Sequence, residues 1–493
     1  MYNREFSSRG NLFLNYPLII QGGLGIGAST WRLAGTVSRL GQLGVVSGVG
    51  LDTIMTRRLQ NGDPDGHVRR ALAHFPVPEI AEKILSSYFI PGGKPENAPY
   101  KFVPTHTVET SLDLKKLAVA ANFVEVFLAK EGHNGIVGIN YLEKIQLPNI
   151  PAFYGAMLAG VDYVIMGAGI PREIPGILDR LSAHQTFTTA LQVEGVTNND
   201  EYTIEFDPRE VIGKAIPPLK RPTFLAIISS AVLATMLTKK ATGKVDGFVV
   251  EGPTAGGHNA PPRGVMQLNQ RGEPIYGPRD AIDLEGIRNI GLPFWLAGSF
   301  GGPVKLDEAL TIGATGIQVG TPFAFCDESG ITREIKERII RKALEGKGEV
   351  LTDPLASPSG FPFKVVEIEG SVSEKAIYEA RPRICDLGYL RRPYVKGDGV
   401  IGYRCPSEDV NAFVKKGGKI EDTVGRKCIC NGLVATIGLP QIRPSGYREA
   451  PIVTAGDDLK LITRFVEKGK FSYSAQDVIR YILDSGNNKE SID

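Results

Sequence analysis

The chain has 493 residues, a formal net charge of +2, 42% hydrophobic and 22% charged residues, and five cysteines. One hydrophobic core stops growing at roughly 250–300 residues, so one large domain plus a second element is expected. The near-neutral balance without a basic block excludes a nucleic-acid footprint, and so few cysteines exclude a disulfide framework and favour a reducing compartment, the cytoplasm.

The N-terminus, MYNREFSSRGNLFLNYPLII, lacks a basic start followed by a sustained apolar core, so no secretory signal is expected. Short β-branched runs then recur: 17–20 (PLII), 43–47 (LGVVS), 135–140 (GIVGIN), 162–167 (DYVIMG), 223–228 (TFLAII), 246–251 (DGFVVE), 293–298 (PFWLAG) and 314–320 (ATGIQVG). They are continuous rather than alternating, the pattern of parallel strands covered on both faces. Helical stretches separate them, among them 30–42, 231–241 and 306–314. The uncharged run 224–237 is shorter than the ~18 residues of a membrane span, so it reads as a strand entering a helix.

Eight such units predict an α/β fold, a (β/α)₈ TIM barrel over 1–345, with a doubly wound open sheet as the rival. A helical insertion, 52–115, follows the second strand. A small β insertion, 186–206, lies between the fourth and fifth and reads as a hairpin around an NND turn. Beyond 345 the rhythm stops, and 346–493 reads as a mixed C-terminal extension packed on the barrel, with helices such as 457–469.

Special residues fall at strand C-termini, the face of a barrel that carries chemistry. QGGLGIG (21–27) follows the first strand, Asn140 ends the third, AGGH (255–258) follows the sixth, AGSFGG (297–302) the seventh, and QVGT (318–321) closes the eighth. Glycine amides after the seventh and eighth strands suit a phosphate. The Asn140 amide suits the edge of a planar ring with donors and acceptors, and the QGGLG backbone can lie along that ring. FMN joins such a ring to a phosphate. FAD or a nicotinamide would call for a dinucleotide-binding unit that is not found here. His258, directly behind two glycines, is the candidate proton-handling residue, the alternative being an inert histidine bonded to backbone.

PLIIQGGLGIGAS, GIN, MGAGIP, TAGGH, LAGSFGGP and GATGIQVGT together resemble the motifs of the nitronate monooxygenase family, formerly 2-nitropropane dioxygenases, over roughly 15–330. The resemblance implies an FMN-dependent flavoprotein oxidising alkyl nitronates or nitroalkanes with O₂, a small-molecule reaction that leaves a homodimer open. It implies Gly22, Gly23 and Leu24 on the isoalloxazine and Asn140 bonded to the flavin. Gly298 and Ser299 would bind phosphate, Gln318, Val319, Gly320 and Thr321 would form the QxGT segment, and His258 would be the catalytic acid/base. Related enzymes give the alternatives: an FMN-dependent NAD(P)H enoyl-thioester or quinone reductase, or a catalytically silent flavin-binding accessory protein.

The other histidines, at 67, 74, 106, 133 and 184, read as surface or packing residues, with His67 on a loop that could cover the pocket. Cys385, Cys405, Cys428 and Cys430 lack paired CxxC spacing, so no metal site is assigned, although four thiolates leave zinc open. Cys326 reads as packing at a helix start. Arg263, Tyr276, Arg279 and Asp280 are candidates for the substrate mouth.

Overall fold

A computed structural model describes residues 16–196 and 202–484. Most of the N-terminal stretch read for a signal, and the NND turn at 198–200, lie outside them.

Eight parallel strands form one sheet: β1 (Ile19–Gln21), β2 (Gly44–Ser47), β3 (Val137–Leu142), β4 (Tyr163–Gly167), β5 (Thr223–Ile228), β6 (Gly247–Glu251), β7 (Phe294–Ala297) and β8 (Gly316–Val319). The spatial order is β1-β8-β7-β6-β5-β4-β3-β2. The sheet closes where Leu43 pairs with Ile20 in parallel. There the Gln21 amide donates to the Leu43 carbonyl at 2.9 Å, and the Leu43 amide to Ile19 at 3.1 Å. Closure removes the edges that a doubly wound sheet would keep and settles the fold as a (β/α)₈ barrel.

The continuous apolar runs are accounted for by burial on both faces. Ile20, Val45, Ile165, Leu225, Val249 and Trp295 fill the barrel interior. Ile19, Val46, Val164, Phe224, Phe248 and Leu296 face the surrounding helices. Trp295 donates its indole N–H to the Pro17 carbonyl at 2.8 Å. The Thr30 hydroxyl caps the helix Trp31–Arg39, and the Ser230 hydroxyl caps Ala231–Lys240. Each accepts an orphan amide two or three positions into the first turn.

The insertion after β2 forms the helices Leu51–Gln60, His67–Leu72 and Pro78–Tyr88, followed by a loop into Leu112–Lys130. Phe187–Ala190 and Thr203–Phe206 pair antiparallel, as a hairpin requires. Past the barrel, Val350–Asp353 pairs with Phe363–Val366, and Arg392–Val395 with Ile401–Arg404. Val365, Ile452 and Ile479 from this region share one core cluster with barrel residues.

Two local expectations fail. The stretch 457–469 is a 3₁₀ segment, Leu459–Arg464, and not an α-helix; docking on the helix Arg333–Leu344 overrides its helical composition. Cys326 follows the short helix Thr321–Ala324 and starts none, its thiol donating to the Phe323 carbonyl at 3.2 Å.

The C-terminal region is tied by a buried ion network. Glu449 is fully enclosed and accepts from Arg381 at 2.8 and 3.1 Å and from Arg443, which also bonds Asp386 at 2.8 Å. Removing the shared carboxylate leaves the buried Arg381 guanidinium without a carboxylate and Arg443 with Asp386 alone, a loss of about 3–5 kcal/mol. Glu449→Ala is therefore expected to lower the unfolding free energy from denaturant titration by that margin; a value within about 1 kcal/mol of wild type would contradict this role.

Candidate active site

The loop after β1 is pinned from several directions. The Gly22 amide donates to the Val319 carbonyl at 2.8 Å, joining the ends of β1 and β8. The Ser29 hydroxyl donates to the Gly22 carbonyl at 3.0 Å and accepts from the Leu24 amide at 2.9 Å. Buried Gln21 bonds Ser29 at 2.9 Å and, through its carbonyl, the Val45 amide at 2.9 Å. Gly23 lies directly on Asn140: a Cβ there would sit 2.3 Å from the Asn140 Cβ. The Asn140 carboxamide donates to the Gly23 carbonyl at 3.4 Å, while its Oδ1 is buried without a partner.

On the opposite side, Gly298 and Ser299 both adopt positive φ, +96° and +57°. The amides of Gly298, Ser299, Phe300 and Gly301 donate to no acceptor among the described residues. Consecutive free amides in left-handed backbone make an anion-binding concavity. The helix Pro303–Ile312 starts just beyond and adds its positive end.

His258 is set by chain far away in sequence. Gly257, at φ +80°, turns the loop, and its amide donates to Thr454 Oγ1 at 2.9 Å. The Asn259 amide donates to the Pro362 carbonyl and the Lys364 amide to the Gly257 carbonyl, each at 2.9 Å. Imidazole Nε2 lies 2.7 Å from Ser357 Oγ, and the ring packs edge-on against Phe363 at 4.8 Å between centroids. Burial pushes His258 down to about 4, so its imidazole is neutral at pH 7.

These loops line one cavity. Gly22, Gly23, Leu24, Asn140, His258, Gly298, Ser299, Gln318, Val319, Gly320 and Thr321 all line it, so every site residue anticipated from the sequence meets the same space. Beside it lies a second chamber, lined by Ile170, Ile228, Leu233 and Ile282 with Arg263, Tyr276 and Asp280. Arg279 is absent from that lining; its carbonyl accepts from the Arg263 guanidinium at 2.7 Å. His67 contacts Trp31 and Arg70 away from both chambers. His106 is buried against Asp52 at 3.0 Å. All five cysteines are free, and no group of three or more metal-ligating side chains is assembled among the described residues.

Several lining residues escaped the motif reading. Glu251, the last residue of β6, lines both chambers, and burial pushes its carboxyl up to about 8. Thr454, Ala455, Gly456 and Asp458, with Tyr389, Cys430 and Leu433, wall the first chamber from the C-terminal region. Burial raises the Asp458 carboxyl, against a hydrogen bond from Thr321. Strand-end position could have flagged Glu251. Nothing local marks the others.

FMN fits the donor set. The orphaned Asn140 oxygen needs an N–H donor, such as a ring imide, and the free amides at 298–301 need an anion. No Lys or Arg lines the chamber among the described residues, so a phosphate there would rest on backbone dipoles.

The nitronate monooxygenase family model matches residues 202–354. The resemblance read from the motifs holds. The nitronate monooxygenase match spans Glu251, His258, Gly298–Ser299 and Gln318–Thr321, the half of the rim contributed by β6 to β8.

A (3aS,4S,5R,7aS)-5-hydroxy-7a-methyl-1-oxo-octahydro-1H-indene-4-carboxyl-CoA dehydrogenase of Mycobacterium tuberculosis is 27% identical over 143 residues, 29% of this chain and 36% of that protein's length. Similar solved structures include FabK from Thermotoga maritima (TM-score 0.46, 16% identity, 95% of this chain and 91% of that one). Another is nitroalkane oxidase from Streptomyces ansochromogenes (TM-score 0.41, 13% identity, 94% of each chain). The enoyl reductase domain of MlnA from Bacillus amyloliquefaciens is a third (TM-score 0.44, 10% identity, 95% and 94%). No helix among the described residues is long and apolar enough to cross a membrane.

Proposed function

We propose that the protein is an FMN-dependent monooxygenase that oxidises alkyl nitronates or nitroalkanes with O₂. The observation that carries this reading is the pairing, on one cavity, of an orphaned ring-edge acceptor at Asn140 with free anion-binding amides at 298–301, with His258 on the same lining. Bound FMN would supply the redox chemistry, taking electrons from the substrate and passing them to O₂. Gly22, Gly23 and Leu24 would lie along its ring and Asn140 at its edge. Gly298, Ser299, Gly320 and Thr321 would hold its phosphate, with Gln318 and Val319 beneath. His258 handles the substrate's proton or holds the anion left behind. The second chamber takes the substrate's apolar part. Residues 346–493 act as an extension on the 1–345 barrel that walls the site, in a protein we place in the cytoplasm.

A second reading, an NAD(P)H-dependent reductase of an enoyl thioester or quinone, draws on the presence of a second chamber beside the first and on the thioester named for the mycobacterial relative. Anaerobic mixing separates the two. The purified holoenzyme is expected to be yellow and to bleach within the mixing time of an alkyl nitronate while staying oxidised with NADH or NADPH. Rapid bleaching by the nicotinamide alone would transfer the assignment to the reductase. Full occupancy with neither donor reacting would leave a silent flavin-binding protein.

A further inference from the structure

Four residues are common to the linings of the two chambers: Ala168, Ile227, Glu251 and His258. A molecule reaching from the flavin chamber into the outer one must pass between them, and only Glu251 and His258 among them carry a proton-exchanging group. Glu251 ends β6, so the rigid strand fixes its backbone at the reactive rim while the side chain projects past it. Its carboxyl makes no hydrogen bond or ion pair among the described residues. A half-buried carboxyl on a cavity wall without a structural partner needs a reason to be there, because an apolar residue would pack at lower cost.

The groups around it sharpen the point. His258 lines both chambers, Asp458 the inner one, and Arg263, Tyr276 and Asp280 the outer one. Arg263 is committed elsewhere, its amide to Asp280 at 2.8 Å and its guanidinium to the Arg279 carbonyl at 2.7 Å. No cation is therefore left to neutralise Glu251 permanently. Desolvation alone acts on it and pushes it up to about 8, whereas His258 is pushed down to about 4. A general base works best when its pKa lies near the operating pH. By that measure the carboxyl suits a weak carbon acid and the imidazole does not. A neutral imidazole instead suits hydrogen bonding to an anion.

We propose that Glu251 is a second catalytic residue: its carboxylate takes the α-proton from a neutral nitroalkane lying across the junction, while His258 hydrogen-bonds the anion formed. The proposal rests on the functional reading above and divides the proton work within it. In the step, the substrate C–H bond breaks and the proton forms an O–H bond on the carboxylate. The electron pair stays on the substrate as the C=N bond of the nitronate, and the negative charge moves to the nitro oxygens. No electron leaves the substrate at this stage, and a preformed nitronate bypasses the step.

The test compares holoenzyme of wild type, Glu251→Gln and Glu251→Asp on a neutral nitroalkane and on its preformed nitronate. Glu251→Gln is expected to slow the nitroalkane by about 100-fold or more, to leave the nitronate within about threefold, and to bind flavin as wild type does. Glu251→Asp should recover part of the loss. A second readout needs no turnover: in D₂O without oxygen, wild type should catalyse α-proton exchange of the nitroalkane, followed by NMR, and Glu251→Gln should not. The wild-type nitroalkane kcat/KM should rise with pH through about 8, and that rise should vanish in Glu251→Gln. Unchanged nitroalkane turnover and exchange in Glu251→Gln, or equal losses on both substrates, overturns the proposal. A wild type inert to both compounds overturns the functional reading, and the proposal falls with it.

Discussion

His258→Ala holoenzyme is expected to keep its yellow flavin and to lose turnover on neutral nitroalkanes by about 10²–10³-fold, the range for removing a positioned hydrogen-bond donor to a developing anion. The two halves of that expectation have separate causes. The residues assigned to FMN sit on the loops after β1, β7 and β8 and at Asn140, and none of them bonds the imidazole. The imidazole is fixed instead by Ser357, which itself bonds Ser359 at 2.8 Å, and by Phe363. Truncation should therefore empty the reactant's side of the cavity without disturbing the cofactor's side. Steady-state rates and the visible spectrum measure both halves, and a yellow variant turning over at the wild-type rate would remove His258 from the chemistry. Ser357→Ala should fall between, because its hydroxyl orients the ring without touching the reactant.

Gly23→Ala is expected to abolish stable flavin binding, with added FMN failing to restore the spectrum at concentrations that saturate wild type. The cause is steric and lies in backbone. The new Cβ would meet the Asn140 Cβ at 2.3 Å, an approach that no side-chain rotation relieves, since both atoms are fixed to main chain. Either the 22–25 loop or the end of β3 must move, and both carry groups assigned to the ring. The loop has little freedom, being tied by the Gly22–Val319 bond and by Ser29. Overpacking of this kind also costs about 1–3 kcal/mol, so circular dichroism should accompany flavin titration. A folded variant that takes up FMN with wild-type affinity would contradict the assignment of this loop to the ring.

The barrel was legible because its signal is local and repeated. Each of the eight runs is continuous in apolar residues since helices cover one side of the sheet and the interior cluster fills the other. The rim was legible for a related reason. A βα unit places whatever follows its strand at one end of the barrel, so QGGLG, Asn140, AGGH, AGSFGG and QVGT had to share that end once the strands were identified. Glu251 was visible by the same rule yet stood in the shadow of its histidine neighbour. The 3₁₀ segment Leu459–Arg464 was illegible, because docking against another helix decided between two tight helical forms of similar cost.

The C-terminal region marks the boundary most clearly. Its composition announces an end to the β-α rhythm and nothing more. Thr454 reaches the Gly257 amide across 197 positions of chain and Ser357 reaches His258 across 99, contacts that no window of sequence contains. The protonation of the site follows from the same folding back. A histidine and a glutamate seven positions apart carry ordinary affinities for protons until the surrounding chain removes their water, and then they move in opposite directions. The sequence by itself determined the strands, their end of the barrel and the chemical groups carried there, because those depend on periodicity and strand order. Only the tertiary structure decided which distant segments close the cavity and which of its acids and bases hold protons, because desolvation is a property of everything packed around a group.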